Sequence, residues 1–178
     1  EEKTGRFLPL GPNWWPIKGY SLALATLSVS EQERIFQSPS PQYPMRADLG
    51  DKVEFLGYDL DKIQVERGES ITLTLYWRAL TEMEVNYHVF VHLLGEEGEI
   101  WAQKDSPPVE GSRPTAGWVK GEVVRDEYQI ALEGQIPAGE YRLTAGIYNP
   151  VSGEGLPVFI EGERVEEDRI TLVRLQVE

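Results

Sequence analysis

Between residues 53 and 177 apolar and polar residues alternate, and no long helical period interrupts them. Residues 70–77 are the clearest case. Ile71, Leu73, Leu75 and Trp77 fall on one face, while Thr72, Thr74 and Tyr76 fall on the other. Successive side chains of a strand point to opposite faces, so this pattern predicts a half-buried antiparallel strand. Similar runs recur at 52–59, 63–66, 86–94, 99–104, 123–132, 139–148, 156–160 and 170–177, separated by Gly, Pro, Asp and Asn. Short strands of about six residues with such punctuation fit two packed sheets. The expected fold is all-β, an immunoglobulin-like antiparallel sandwich over residues 51–178. Gly57 is expected to mark a bulge.

Residues 1–50 read differently. They hold Pro9, Pro12, Pro16, Pro39, Pro41 and Pro44, half of the 12 prolines. Proline removes backbone donors, so this stretch is expected to be an arm or linker and not a central strand. Ser30 and Glu33 have capping-box spacing, Ile35 and Phe36 follow, and Pro39 ends the run. That predicts one short helix near 31–37. Trp14 and Trp15 sit beside Pro12 and Pro16. Tandem exposed tryptophans are costly, so a covering surface is expected, either the sandwich, a neighbouring chain or a membrane boundary.

Charge narrows the function classes. Asp and Glu total 30 against 17 Lys and Arg, a formal net charge of −13. Such a surface repels phosphate backbones and anionic lipid, which disfavours nucleic-acid binding and lipid docking. Cys is absent, which removes disulfides, thiol nucleophiles and iron–sulfur sites. The longest uncharged run near the start, 19–30, carries Ser21, Thr26 and Ser28 and falls short of the ~20 apolar residues a span needs. A soluble chain is expected. Its start at Glu1 reads as a processed or excised fragment.

The residues also show a resemblance. The runs EFLGYD at 54–59, LTLYW at 73–77 and VFVHL at 89–93 come first. AQKDSPP at 102–108, GSRPT at 111–115 and Trp118 follow, then Gly121, Glu122, Asp126, Tyr128 and GEYR at 139–142. This order resembles the C-terminal β-sandwich domain of bacterial polytopic membrane glycosyltransferases of the protein-mannosyltransferase type, over about residues 48–160. The resemblance implies an extracytoplasmic, non-catalytic appendage, membrane-associated in the full-length protein. The family's catalytic carboxylates lie between membrane helices, so none is carried over to this chain.

Candidate sites follow from residue chemistry. His88 and His92 lie four apart in a predicted strand, about 13 Å along it, too far to share one ion. Other strands would have to complete a zinc site, and no metal or cofactor is expected. Asp48, Asp51, Asp59 and Asp61 lack the spacing of a calcium loop and read as turn residues. The run 19–23 echoes a nucleophile elbow only in part, and no enzymatic activity is expected. The loop at 105–121 is long for a compact domain. Trp101, Asp105, Arg113 and Trp118 are the ligand-binding candidates in and beside it: rings for sugar C–H faces, a carboxylate and a guanidinium for hydroxyls. The same residues could instead plug the core edge and tie down backbone.

The expected function is an accessory or interaction module acting on a protein or carbohydrate partner. The alternative is a carbohydrate-binding module attached to a glycosyltransferase, favoured if Trp101 and Trp118 are exposed and coplanar. A further alternative is an inhibitor-like sandwich acting through a protruding 105–121 loop.

Overall fold

The computed structural model describes residues 33–133 and 135–178. The arm before residue 33, with Trp14 and Trp15, lies outside them. Among the described residues the strands are β1 (Tyr43–Leu49), β2 (Val53–Leu60), β3 (Gln64–Val65), β4 (Ser70–Ala79), β5 (His88–Leu94), β6 (Ile100–Ser106), β7 (Val123–Ala131), β8 (Gly139–Tyr148), β9 (Val158–Ile160), β10 (Glu163–Arg164) and β11 (Ile170–Val177). They form a six-stranded sheet, β10-β9-β1-β2-β4-β7, and a five-stranded sheet, β3-β11-β8-β5-β6. The all-β sandwich is as the alternation predicts. One pairing departs from antiparallel: β3 runs parallel to β11.

Alternation builds the shared core. Ile71, Leu73, Leu75 and Trp77 of β4 are all fully buried, as are Val89, Val91 and Leu93 of β5 and Leu143, Ala145 and Ile147 of β8. Phe55 and Trp77 pack tilted with centroids 4.9 Å apart. At the start of β8 the Tyr141 hydroxyl donates to the Pro137 carbonyl at 2.8 Å. This local pin resembles the tyrosine corner of immunoglobulin-like sandwiches. The bulge at Gly57 is present: the register on β4 slips between Phe55 and Gly57. Gly57 holds a φ of 131°, and a Cβ there would collide with the Tyr43 carbonyl.

Two expectations about the arm need correction. Tyr43–Leu49 is a strand of the larger sheet, so the sandwich begins before residue 51. Pro44 is tolerated because β9 covers only Asp48 and Leu49 on that side of β1, leaving the proline end as an edge. The helix expected at 31–37 is missing from its described part, since residues 33–37 are non-helical and Ile35 bridges Val123. The Ile35 carbonyl accepts the Val123 N–H at 2.7 Å, and Arg34 reaches the Gly117 carbonyl at 2.9 Å. These long-range bonds require extended backbone and outweigh a local capping signal. Among the described residues no helix is long and apolar enough to cross a membrane.

Candidate functional site

The loop from β6 to β7 crosses from the edge of one sheet to the edge of the other. It is laid flat by bonds along its length. The Thr115 hydroxyl donates to the Val85 carbonyl and accepts the Tyr87 N–H, both at 2.8 Å. Trp118 is buried, and its indole N–H donates to the Arg113 carbonyl at 2.8 Å. Arg113 forms an ion pair with the buried Glu122, which also takes Arg34 at 2.6 Å. Val109 and Glu110 are held at φ of 52° and 51°, a region a β-branched residue rarely enters. The Val109 N–H donates to Asp126 Oδ1 at 2.8 Å, and the Tyr128 hydroxyl donates to Asp126 Oδ2 at 2.6 Å. Burial drives the Asp126 carboxyl up to about 6, against these hydrogen bonds. The loop is a strap and does not protrude, which removes the ground for an inhibitor-like loop.

The four sequence candidates therefore have separate duties. Trp118 is core. Arg113 is spent on Glu122. Trp101, on the edge strand β6, is partly exposed; it donates to Glu99 Oε1 at 2.9 Å and meets Tyr141 edge-on at 6.3 Å. The two tryptophans form no common platform. Asp105 lies in a concavity on the outer face of the five-stranded sheet.

That concavity measures about 330 Å³. Its floor comes from the outward residues of β5, since Val89 and Val91 point inward and His88, Phe90 and His92 point out. Phe90 lies tilted against His92 at 4.7 Å and 6.2 Å from Tyr148, which meets His88 edge-on at 5.8 Å. Gly146 of β8 faces Phe90 directly. A Cβ on Gly146 would fall within the Phe90 ring, so the glycine lets that ring lie on the sheet. Gly153 and Gly155 form one wall, and Glu167, Asp168 and Arg169 form another.

The polar groups converge from three strands and a loop. His92 Nε2 lies 3.1 Å from Asp105 Oδ1, an ordinary diagonal pair across β5 and β6. Desolvation holds the His92 imidazole below its usual range, against the Asp105 carboxylate and with Arg169 adding to the depression. In the neutral ring, the tautomer with Nε2–H is the one that donates to Asp105. Asp105 Oδ2 accepts no hydrogen bond among the described residues. Burial and the Asp105 charge both raise the Tyr148 phenol, which therefore stays protonated. Arg169 Nε is 3.4 Å from Glu167 Oε2. Among the described residues no group of three His, Asp or Glu is placed to hold a metal ion. Asp48 caps the Asp51 N–H, Asp59 takes the Gln42 N–H and the Tyr76 hydroxyl, and Asp61 takes the Thr72 N–H.

Phe90, Tyr148 and Arg169 escaped the sequence reading. The outward face of 88–92, with two imidazoles and a benzyl ring alternating against valines, was the available signal. Its partners on β8 and in the 167–169 turn become neighbours only through strand order.

No family model matches the chain, and no curated protein matches it. Among solved structures, the C-terminal domain of wzt is similar at 13% identity and TM-score 0.55, covering 85% of this chain and 89% of that one. A Niemann-Pick type C2 protein from Japanese carpenter ant matches at 11% identity and TM-score 0.40, over 69% of this chain and 89% of that one. The CARDB domain of the PF1109 protein from Pyrococcus furiosus matches at 11% identity and TM-score 0.39, over 84% and 100%. At such identities the first likeness establishes fold alone: this chain is a β-sandwich module related in architecture to the wzt C-terminal domain.

Proposed function

We propose that this chain is a non-catalytic recognition module, carried outside the membrane as an appendage of a membrane-associated protein, and that it binds through the outer face of its five-stranded sheet. The observation that carries the binding site is one concavity that joins ring faces of Phe90 and Tyr148 to an uncommitted carboxylate oxygen of Asp105. The extracytoplasmic appendage rests on the resemblance over residues 48–160. The His92–Asp105 pair is not arranged for acyl transfer. No hydroxyl bonds to the His92 ring among the described residues, and the nearby Thr144 hydroxyl donates to the His92 backbone carbonyl at 3.3 Å instead. A base without a nucleophile in reach lacks the arrangement needed for acyl transfer.

The carbohydrate reading moves to this concavity and away from Trp101 and Trp118. Sugar rings present C–H faces to aromatic rings, and Asp105 and Arg169 can bind hydroxyls. A glycan array with the full chain tests it, using Tyr148→Ala and Gly146→Ala as variants. The alanine at 146 must displace the Phe90 ring. Binding by wild type that both variants lose, with unchanged circular dichroism, is the expected result. Binding that survives both and disappears in Trp101→Ala would transfer the site to β6.

A further inference from the structure

The outer-face concavity has a sign as well as a shape. We propose that it selects a ligand carrying a protonated amine, in the form of an amino sugar, with the ammonium seated between the Phe90 and Tyr148 rings and the Asp105 carboxylate. This rests on the reading of that face as the binding surface.

The charges on the wall point one way. Asp105, Glu167 and Asp168 face a single lining cation, Arg169. Arg169 is engaged by Glu167, and Asp168 is engaged by Arg164 at 3.0 and 3.3 Å. Asp105 Oδ2 is left without a hydrogen bond among the described residues, beside the two rings. An anionic ligand reaching Arg169, whose Nε is paired with Glu167, would still face the carboxylates of Asp105, Glu167 and Asp168. An ammonium finds a free acceptor at once. The floor agrees: ring faces carry negative quadrupole charge and attract cations, and cages of such rings recognise substituted ammonium groups. Desolvation disfavours the charged form of the His92 imidazole, which limits its opposition to the cation. The net charge of −13 repels anions and concentrates cations near the surface. At about 330 Å³ the hollow is at the small end of ligand sites, suited to one ring and not to a peptide in groove.

The test uses the full 178-residue chain at pH 7 and constant ionic strength, followed by amide and ring NMR shifts. The probes are glucosamine, N-acetylglucosamine, glucose, glucuronate and Nα-acetyl-lysine amide. Glucosamine is expected to shift Phe90, His92 and Tyr148 with an affinity about tenfold above N-acetylglucosamine and glucose, a typical gain for a partly desolvated cation on rings. Glucuronate is expected to give no shift. Asp105→Asn should bring glucosamine down to the level of glucose, and Asp105→Glu should restore part of the difference. Tyr148→Phe, which keeps the ring, should retain the preference. Equal binding of glucosamine and glucose overturns the amine selection while leaving a sugar site on this face. Tighter binding of the lysine amide overturns the sugar assignment in favour of a basic peptide. Failure of every probe to move these three residues defeats both this proposal and the binding face beneath it.

Discussion

Asp105 and Asp126 are the two aspartates on which the molecule's two polar regions turn. Asp126 points into the sandwich beneath the strap, and both of its oxygens are taken, by the Val109 N–H and the Tyr128 hydroxyl. Asp105 stands on the outer face with one oxygen on His92 and the other unengaged. The strap around Asp126 is also where the aromatic bulk is buried, in Trp77, Trp118 and Tyr128. On the outer face the rings of Phe90 and Tyr148 keep surface in contact with solvent. A buried polar group with its valences filled fastens a fold; a half-open one beside bare rings has capacity for a ligand. The contrast separates structure from recognition without reference to any named family.

The largest expected effect lies on the fastening side. Trp118→Ala removes a fully buried indole and leaves the Arg113 carbonyl without its donor. The loss should be about 4 kcal/mol, as for large aromatic truncations in cores. Urea unfolding measures it. Ligand-induced shifts at Phe90 and Tyr148 should be unchanged in the fraction that remains folded. Lost binding at undiminished stability would reverse the assignment and return Trp118 to the site.

Next comes the pH response of Asp126. Its folded carboxyl stands at about 6 against an ordinary 3.8, so the folded state favours the protonated form. The associated stability is fully present below 3.8 and is lost as pH rises through 6. A displacement of that size is worth on the order of 3 kcal/mol. Asp126→Asn keeps an acceptor for the Val109 N–H and removes the titrating charge. The variant should match wild type at pH 4 and exceed it at pH 7, because the other carboxylates titrate alike in both. Parallel curves for the two proteins across that range would show that Asp126 is not buried as described.

The strands were legible because burial on one face imposes a period of two, and residues 70–79 and 139–148 keep it without a break. The first strand, Tyr43–Leu49, was hidden by Pro41 and Pro44, whose missing donors matter only where a neighbour needs them; β9 needs none there. The helix near 31–37 failed for the opposite reason. Its signal was local, while Arg34 and Ile35 form bonds to residues more than eighty positions away. The candidate site divides along the same line. Asp105 was identifiable as a carboxylate near aromatics, and His88 and His92 as residues sharing a face. Nothing in the chain order announced that β5 lies between β6 and β8, so Tyr148 and Arg169 could not be joined to them. Trp118 was misleading because a loop tryptophan reads the same whether it faces solvent or seals a core.

The smallest effect sharpens the comparison at its boundary, because Trp101 belongs to neither region. It lies on the same edge strand as Asp105 but bonds to Glu99 and meets Tyr141 edge-on. An edge-to-face pair contributes about 0.5–1.5 kcal/mol, and a half-exposed ring at a sheet edge is expected near the lower bound. Trp101→Ala should therefore cost under about 1 kcal/mol in urea unfolding. The Glu99 carboxyl, held below its usual range chiefly by the Trp101 indole N–H, should move back toward the ordinary value. An NMR titration of its side chain reads that movement. Amine binding in the concavity should stay within experimental error of wild type, since Trp101 does not line it. A tryptophan that is exposed and aromatic, and still irrelevant to binding, would show that recognition here depends on which rings stand beside an open carboxylate and not on which rings face water.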